Sequence, residues 1–332
     1  MVFPVKQGYQ FDDPHCHHAR LRNFGCRQRH VDDFQRWLFS LFQARVSRCA
    51  VTDWGEDTPK HAMKFIDLLE ISDDYNSLPL KTVTDLSDPL DRQYTLEPLG
   101  NRLLRVTKHD AFNMHPYEDE MTMLLYRAQE VMTSGFHHIS AIGSPSAMHS
   151  NRLTAKETVD EIVAMGGEIA IVEHPCTKEV PGLQYWYTTL DEDGETVDLV
   201  QYLRDSGIGF GFEVFNGYNL FHMKLSNATA CRLADRISEE RAIFVPRVAA
   251  SDNHYSRDNY GTTGLWFPEQ DLSAVESEDE FFRGYRDNLM HGGTVMETTY
   301  TSKGEFIKTM VINKIKGKGK DLTEEDFLHE EF

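Results

Sequence analysis

Near the start of the chain stands Asp13-Pro14-His15-Cys16-His17, at the end of an apolar opening segment. Side chains at i and i+2 of a β-strand share a face, so His15 and His17 read as two imidazoles presented together at a strand end. That is half of a metal site, and the other ligands must come from elsewhere in the chain. Candidates recur: Glu130, His138, His174 in Glu173-His174-Pro175, Glu213, and the pair Asp252 and His254 in Ser251-Asp252-Asn253-His254. His137 and His138 face opposite ways on a strand, so only one can be a ligand, and the spacing to Gly143 favours His138. Imidazole and carboxylate together suit zinc, manganese or iron rather than calcium.

The elements that must position these groups alternate. Apolar residues at helical spacing run from Phe34 to Val46, and Arg48 to Thr52 reads as a buried strand. Pro59 to Leu69 is helical, with proline early, as helix starts prefer. Later strands fall at His138–Ile142, Ile169–Val172, Gly209–Phe215 and Phe244–Ala250, with helices opening at Thr154-Ala155-Lys156-Glu157 and running over Val197–Asp205, Ala228–Glu240 and Glu278–His291. Alternating strands and helices predict parallel pairing and an α/β architecture. The polar candidates fall at strand ends, and the C-terminal ends of parallel strands share the face where sites are built.

The chain has 332 residues, 40% of them hydrophobic, enough for a large core. Its net charge of -19 repels phosphate backbones and speaks against general nucleic-acid binding. The five cysteines show no CxxC spacing, so a reducing cytoplasm is the simplest home. No apolar run reaches membrane-spanning length.

Taken in order, these segments resemble the PHP (polymerase and histidinol phosphatase) metal-dependent phosphoesterases. Asp13-Pro14-His15-Cys16-His17 is similar to that family's DxHxH opening, Gln129-Glu130-Val131-Met132-Thr133 to its glutamate strand, and His138-Ile139-Ser140-Ala141-Ile142-Gly143 to the histidine strand after it. Ala170-Ile171-Val172-Glu173-His174-Pro175, after Gly166-Gly167, is similar to the "AHP" segment, Phe212-Glu213-Val214-Phe215-Asn216-Gly217 to "IEVxN", and Ala250-Ser251-Asp252-Asn253-His254 to "GSDxH".

The resemblance implies a distorted TIM-like (β/α)7 barrel over residues 1–313, interrupted by an insertion or lid at about 55–120 and followed by a charged tail at 314–332. It implies two or three divalent metals, manganese, zinc or iron, at the C-terminal rim. Carried over, His15, His17, Glu130 and Asp252 form one metal site; Glu130 bridges to a second, completed by His138 and His174; His254 belongs to a third position. The sequence departs from the family at Arg22 and Asn23, where a further histidine or aspartate is usual, and at Val51-Thr52-Asp53-Trp54, where tryptophan replaces the histidine of "TDH". His109 in Val106-Thr107-Lys108-His109-Asp110 is the candidate replacement.

The implied chemistry is hydrolysis of a phosphoester, a small phosphorylated metabolite or nucleotide, by metal-activated water attacking phosphorus. Asp252 or His254 would pass a proton to the leaving alkoxide, and Arg20 and Arg247 would hold the phosphate. Two alternatives stand beside it: a non-catalytic metal-binding domain of the same kind, and an amidohydrolase-type hydrolase, which also opens with HxH.

Overall fold

Runs such as Ile169-Ala170-Ile171-Val172 belong to strands covered on both faces, and the computed structural model builds them into one sheet. It describes residues 6–16, 35, 37–53, 64–78, 94–109, 121–134, 137–149, 152–176, 195–217, 223–252 and 262–298. The elements in chain order are β1 (Tyr9–Asp13), a helical stretch at 37–43, β2 (Val46–Asp53), α1 (Phe65–Asn76), β3 (Tyr94–Pro98), β4 (Leu103–Lys108), β5 (Met121–Met132) and β6 (His138–Ile142). They continue with α2 (Ala155–Ala164), β7 (Ile169–Glu173), α3 (Glu195–Ser206), β8 (Gly209–Asn216), α4 (Met223–Arg241), β9 (Arg247–Ala250), β10 (Thr263–Pro268), α5 (Glu278–Met290) and β11 (Val295–Thr298).

The sheet runs β11-β10-β1-β2-β5-β6-β7-β8-β9, with β4 and then β3 branching from β5. β9 lies against β10 and β11, so the sheet is a nearly closed barrel. The pairs β1–β2, β2–β5, β7–β8 and β8–β9 are parallel, as the alternation predicts. β6 corrects that expectation: it is antiparallel to both β5 and β7. The link between Met132 and His138 is too short for a parallel crossover, which takes a dozen residues or more. Reversal puts the first residue of β6 at the rim where β5 and β7 end. That is how His138, at a strand start, joins groups at strand ends.

Residues 94–108, expected within an insertion or lid, form the β3–β4 hairpin on the first half of β5. This portion belongs to the main sheet, at the end remote from Glu130. Residues 54–63, 79–93 and 110–120, and the expected tail at 314–332, lie outside the described residues.

The two faces of the sheet bury different clusters. Outside, α2, α3 and α4 pack Val159, Ile162, Leu203, Leu233 and Ile237 onto Val131, Ile139, Val172 and Phe212. α2 opens after Thr154, as expected, with a capping box: the Thr154 hydroxyl accepts from the Glu157 N–H, and the Glu157 carboxylate accepts from the Thr154 N–H. Inside, the ladder sets Ala128 and Glu130 of β5 beside Ile142 and Ser140 of β6, one step below His138. Ile142, Ser140 and His138 then stand beside Ile169, Ile171 and Glu173 of β7, and Ile169 and Ile171 beside Gly209 and Gly211 of β8, which runs on to Glu213. Each series is small or mostly apolar at the lower end and ends on a titratable residue. Phe281, Phe282, Tyr285 and Leu289 of α5 join this inner cluster and plug its lower end.

Candidate metal centre

At the upper rim the ends of β5 and β7 meet the start of β6. Ligand atoms of Glu130, His138, Glu173 and His174, one from each, all lie within 4.8 Å of one another. His138 Nδ1 contacts Glu130 Oε1, and His174 Nε2 lies 3.5 Å from the same oxygen. The other oxygen, Oε2, faces His15 Nε2 at 3.8 Å. Glu130 thus divides its two oxygens, one toward His138 and His174 and the other toward His15. His15 also lies 3.2 Å from Glu173, 3.7 Å from Glu213 and 3.5 Å from Asp252.

Two residues that converge here hold left-handed backbone, His174 at φ 27° and Asp252 at φ 47°. Outside glycine such conformations cost roughly 1–3 kcal/mol and persist only where the surroundings enforce them. The enforcement is visible. The His174 N–H donates to Glu213 Oε2 at 2.5 Å, and the Asp252 N–H donates to the His15 carbonyl at 2.9 Å. Asn216 donates to Asp252 Oδ2 at 3.0 Å and to Glu213 Oε1 at 3.4 Å. Below, Asp13 accepts from both the N–H and the hydroxyl of Ser251, tying the end of β1 to the end of β9.

The field strongly favours a cation. Burial pushes the Glu173 carboxyl well above its usual range, with Glu130 and Glu213 adding to the rise while His15 and His174 oppose it. Burial works against charged His15, yet Glu173 and Asp252 outweigh it and hold that imidazole well above its usual value. Burial likewise opposes charge on His174, but Glu130 and Glu213 raise it to about 9. Both Glu173 oxygens are buried and accept no hydrogen bond among the described residues. A buried carboxylate lacking donors is costly unless a charge pairs with it. The donor set, imidazole nitrogen with carboxylate oxygen, fits a divalent transition metal.

Of the sequence candidates, the structure brings His15, Glu130, His138, His174 and Asp252 together. His17, Arg20 and His254 lie outside the described residues. Two candidates are displaced, and both are corrections. His109 follows β4, whose last residue Lys108 pairs with Met121 at the start of β5, roughly 30 Å along the strand from Glu130. Its Nε2 meets the Thr95 hydroxyl at 2.6 Å. Arg247 opens β9, at the end away from the rim, and its guanidinium pairs with Asp235 of α4. The reason is direction: neither the TDH-like match at His109 nor the rim position expected of Arg247 says which end of its strand faces the site.

The sequence does not mark Glu173, because the similarity to "AHP" sets it where that pattern has alanine, and because neighbours on a strand normally face opposite ways. The only sequence signal was a carboxylate directly before the His-Pro pair.

No protein-family model and no curated protein sequence matches the chain. Among solved structures it is similar to PsfC from Pseudomonas syringae PB-5123, at 10% identity and a TM-score of 0.46, over 94% of this chain and 99% of that one. It is also similar to the lesion-specific endonuclease PfuEndoQ from Pyrococcus furiosus, at 10% identity and a TM-score of 0.47. That match covers 87% of this chain and 57% of the endonuclease. Likenesses at this level leave the chemistry to be read from the site's own residues.

Proposed function

We propose that the chain is a metal-dependent hydrolase of phosphoesters, of the PHP kind and its distorted barrel. The observation that carries this reading is the divided carboxylate of Glu130, with one oxygen toward His138 and His174 and the other toward His15. A carboxylate so placed suits two adjacent cations, one held by His138 and His174, the other by His15 and Asp252 with His17 from the same motif. When bound, such cations supply Lewis acidity to phosphate oxygens and a nucleophilic water at neutral pH.

The chain's own residues would do the rest. Glu213 and Asn216 fix His174 and Asp252 from behind, so the ligands keep their positions as charge moves. Asp252, at the rim with one oxygen held by Asn216, is placed to exchange a proton with the leaving alkoxide, and His254 is the alternative on the same segment. Arg20 remains the candidate phosphate clamp. The substrate class is a small phosphorylated metabolite or nucleotide, since the charge of -19 disfavours long polyanions.

The test is metal analysis of the purified protein, with turnover of p-nitrophenyl phosphate and bis(p-nitrophenyl) phosphate in added Mn²⁺. Bound transition metal with turnover on either ester, lost in Asp252→Ala, supports the proposal. Protein that takes up no divalent ion and turns over neither ester refutes it.

A further inference from the structure

The pairing of β6 with β7 sets Glu173 directly opposite His138, so the carboxylate enters the inner face by ordinary strand alternation. His174 comes next and would normally point outward. Its φ of 27° breaks the alternation, and the hydrogen bond from its N–H to Glu213 fixes the break. Two consecutive residues therefore reach the same point, with donor atoms within 4.8 Å of those of Glu130 and His138.

Glu173 is 2% exposed, and neither of its oxygens accepts a hydrogen bond among the described residues. A carboxylate retained for structure would be expected to gather N–H or O–H donors, as Asp13 does from Ser251. Glu173 instead faces imidazoles and a second carboxylate. A divalent cation would satisfy both oxygens and balance the two negative charges of Glu130 and Glu173. Oxygen donors favour manganese more than imidazoles do, while imidazoles alone suit zinc well.

We propose that Glu173 is a direct ligand, with Glu130, His138 and His174, of one divalent cation, and that this second carboxylate shifts the preference of the position toward Mn²⁺ over Zn²⁺. The inference rests on the metal-centre reading above and adds a ligand and a selectivity to it.

Calorimetric titration of the full chain with MnCl₂ and ZnCl₂ after removal of metal by EDTA, on wild type, Glu173→Gln and Glu173→Asp, tests it. Loss of a direct ligand should weaken Mn²⁺ at least about tenfold in Glu173→Gln, the lower bound seen even for outer partners of a ligand. Zn²⁺ should weaken by a smaller factor. Glu173→Asp keeps the charge but shortens the reach, so Mn²⁺ weakens there as well, which also covers failure of the glutamine variant to fold. Unchanged Mn²⁺ affinity in both variants, or equal losses for the two metals, overturns the inference while leaving the metal centre standing. Wild type that binds neither metal overturns the underlying reading instead.

Discussion

The backbone N–H of His174 donates to Glu213 Oε2 at 2.5 Å, joining the end of β7 to β8 at the one residue where β7 leaves extended backbone. The bond does not touch the reacting face. It holds the conformation that turns the His174 ring toward Glu130. Glu213→Ala should therefore weaken metal binding about 10–100-fold, the usual loss when an outer partner of a ligand is removed. Glu213→Gln keeps an acceptor and should recover most of that affinity. Titration calorimetry with Mn²⁺ on both variants checks this, and equal losses in the two would mean that charge, not positioning, is what Glu213 contributes.

Asp13 and Ser251 tie together β1 and β9, which are not neighbours in the ladder. Both are buried. Ser251→Ala leaves one Asp13 oxygen without its hydroxyl donor, at a cost of about 1–3 kcal/mol. Urea denaturation should show that loss with an unchanged slope.

Asp12 lies inside the barrel, where the hydroxyls of Tyr126 and Tyr285 donate to it and the Arg48 guanidinium lies nearby. Burial raises its carboxyl from 3.8 to about 7, against the lowering by those tyrosines and Arg48. A folded-state value above the unfolded one contributes stability that is complete below about pH 4 and is lost as the pH rises through 7. The full effect is on the order of 4 kcal/mol. Metal-free wild type should therefore lose more stability between pH 5 and pH 8 than Asp12→Asn, which cannot ionise. Parallel losses in urea titrations at the two pH values would contradict this.

Gly211 faces inward, and a methyl group there would meet Val248 at 2.7 Å and Ile171 at 3.3 Å. Neither neighbour can withdraw from the inner cluster they share. Gly211→Ala should cost about 1–3 kcal/mol by overpacking, read as a lowered thermal midpoint.

Much of the centre was legible because titratable residues at strand ends are conspicuous between apolar runs: His15, Glu130, His174 and Asp252 each follow or end such a run. The helices were legible from periodicity and from caps such as Thr154. What could not be read was direction and curvature. The reversal of β6 depends on how short its link to β5 is, and the misplacement of His109 and Arg247 depends on which way β4 and β9 run. Glu173 was hidden because its inward position is ordinary alternation, while its partnership with His174 needs one backbone angle that no residue pattern announces. β10 was missed altogether, since Thr263–Pro268 borders β1 by antiparallel pairing far along the chain.

The most direct test of the central claim is the initial rate of p-nitrophenyl ester hydrolysis measured against Mn²⁺ bound per chain. The account predicts no turnover after EDTA, a rate that rises with bound Mn²⁺, and loss of both binding and rate in His174→Ala with the fold intact by circular dichroism. Full turnover in EDTA, or a His174→Ala protein that binds Mn²⁺ and turns over like wild type, would contradict it.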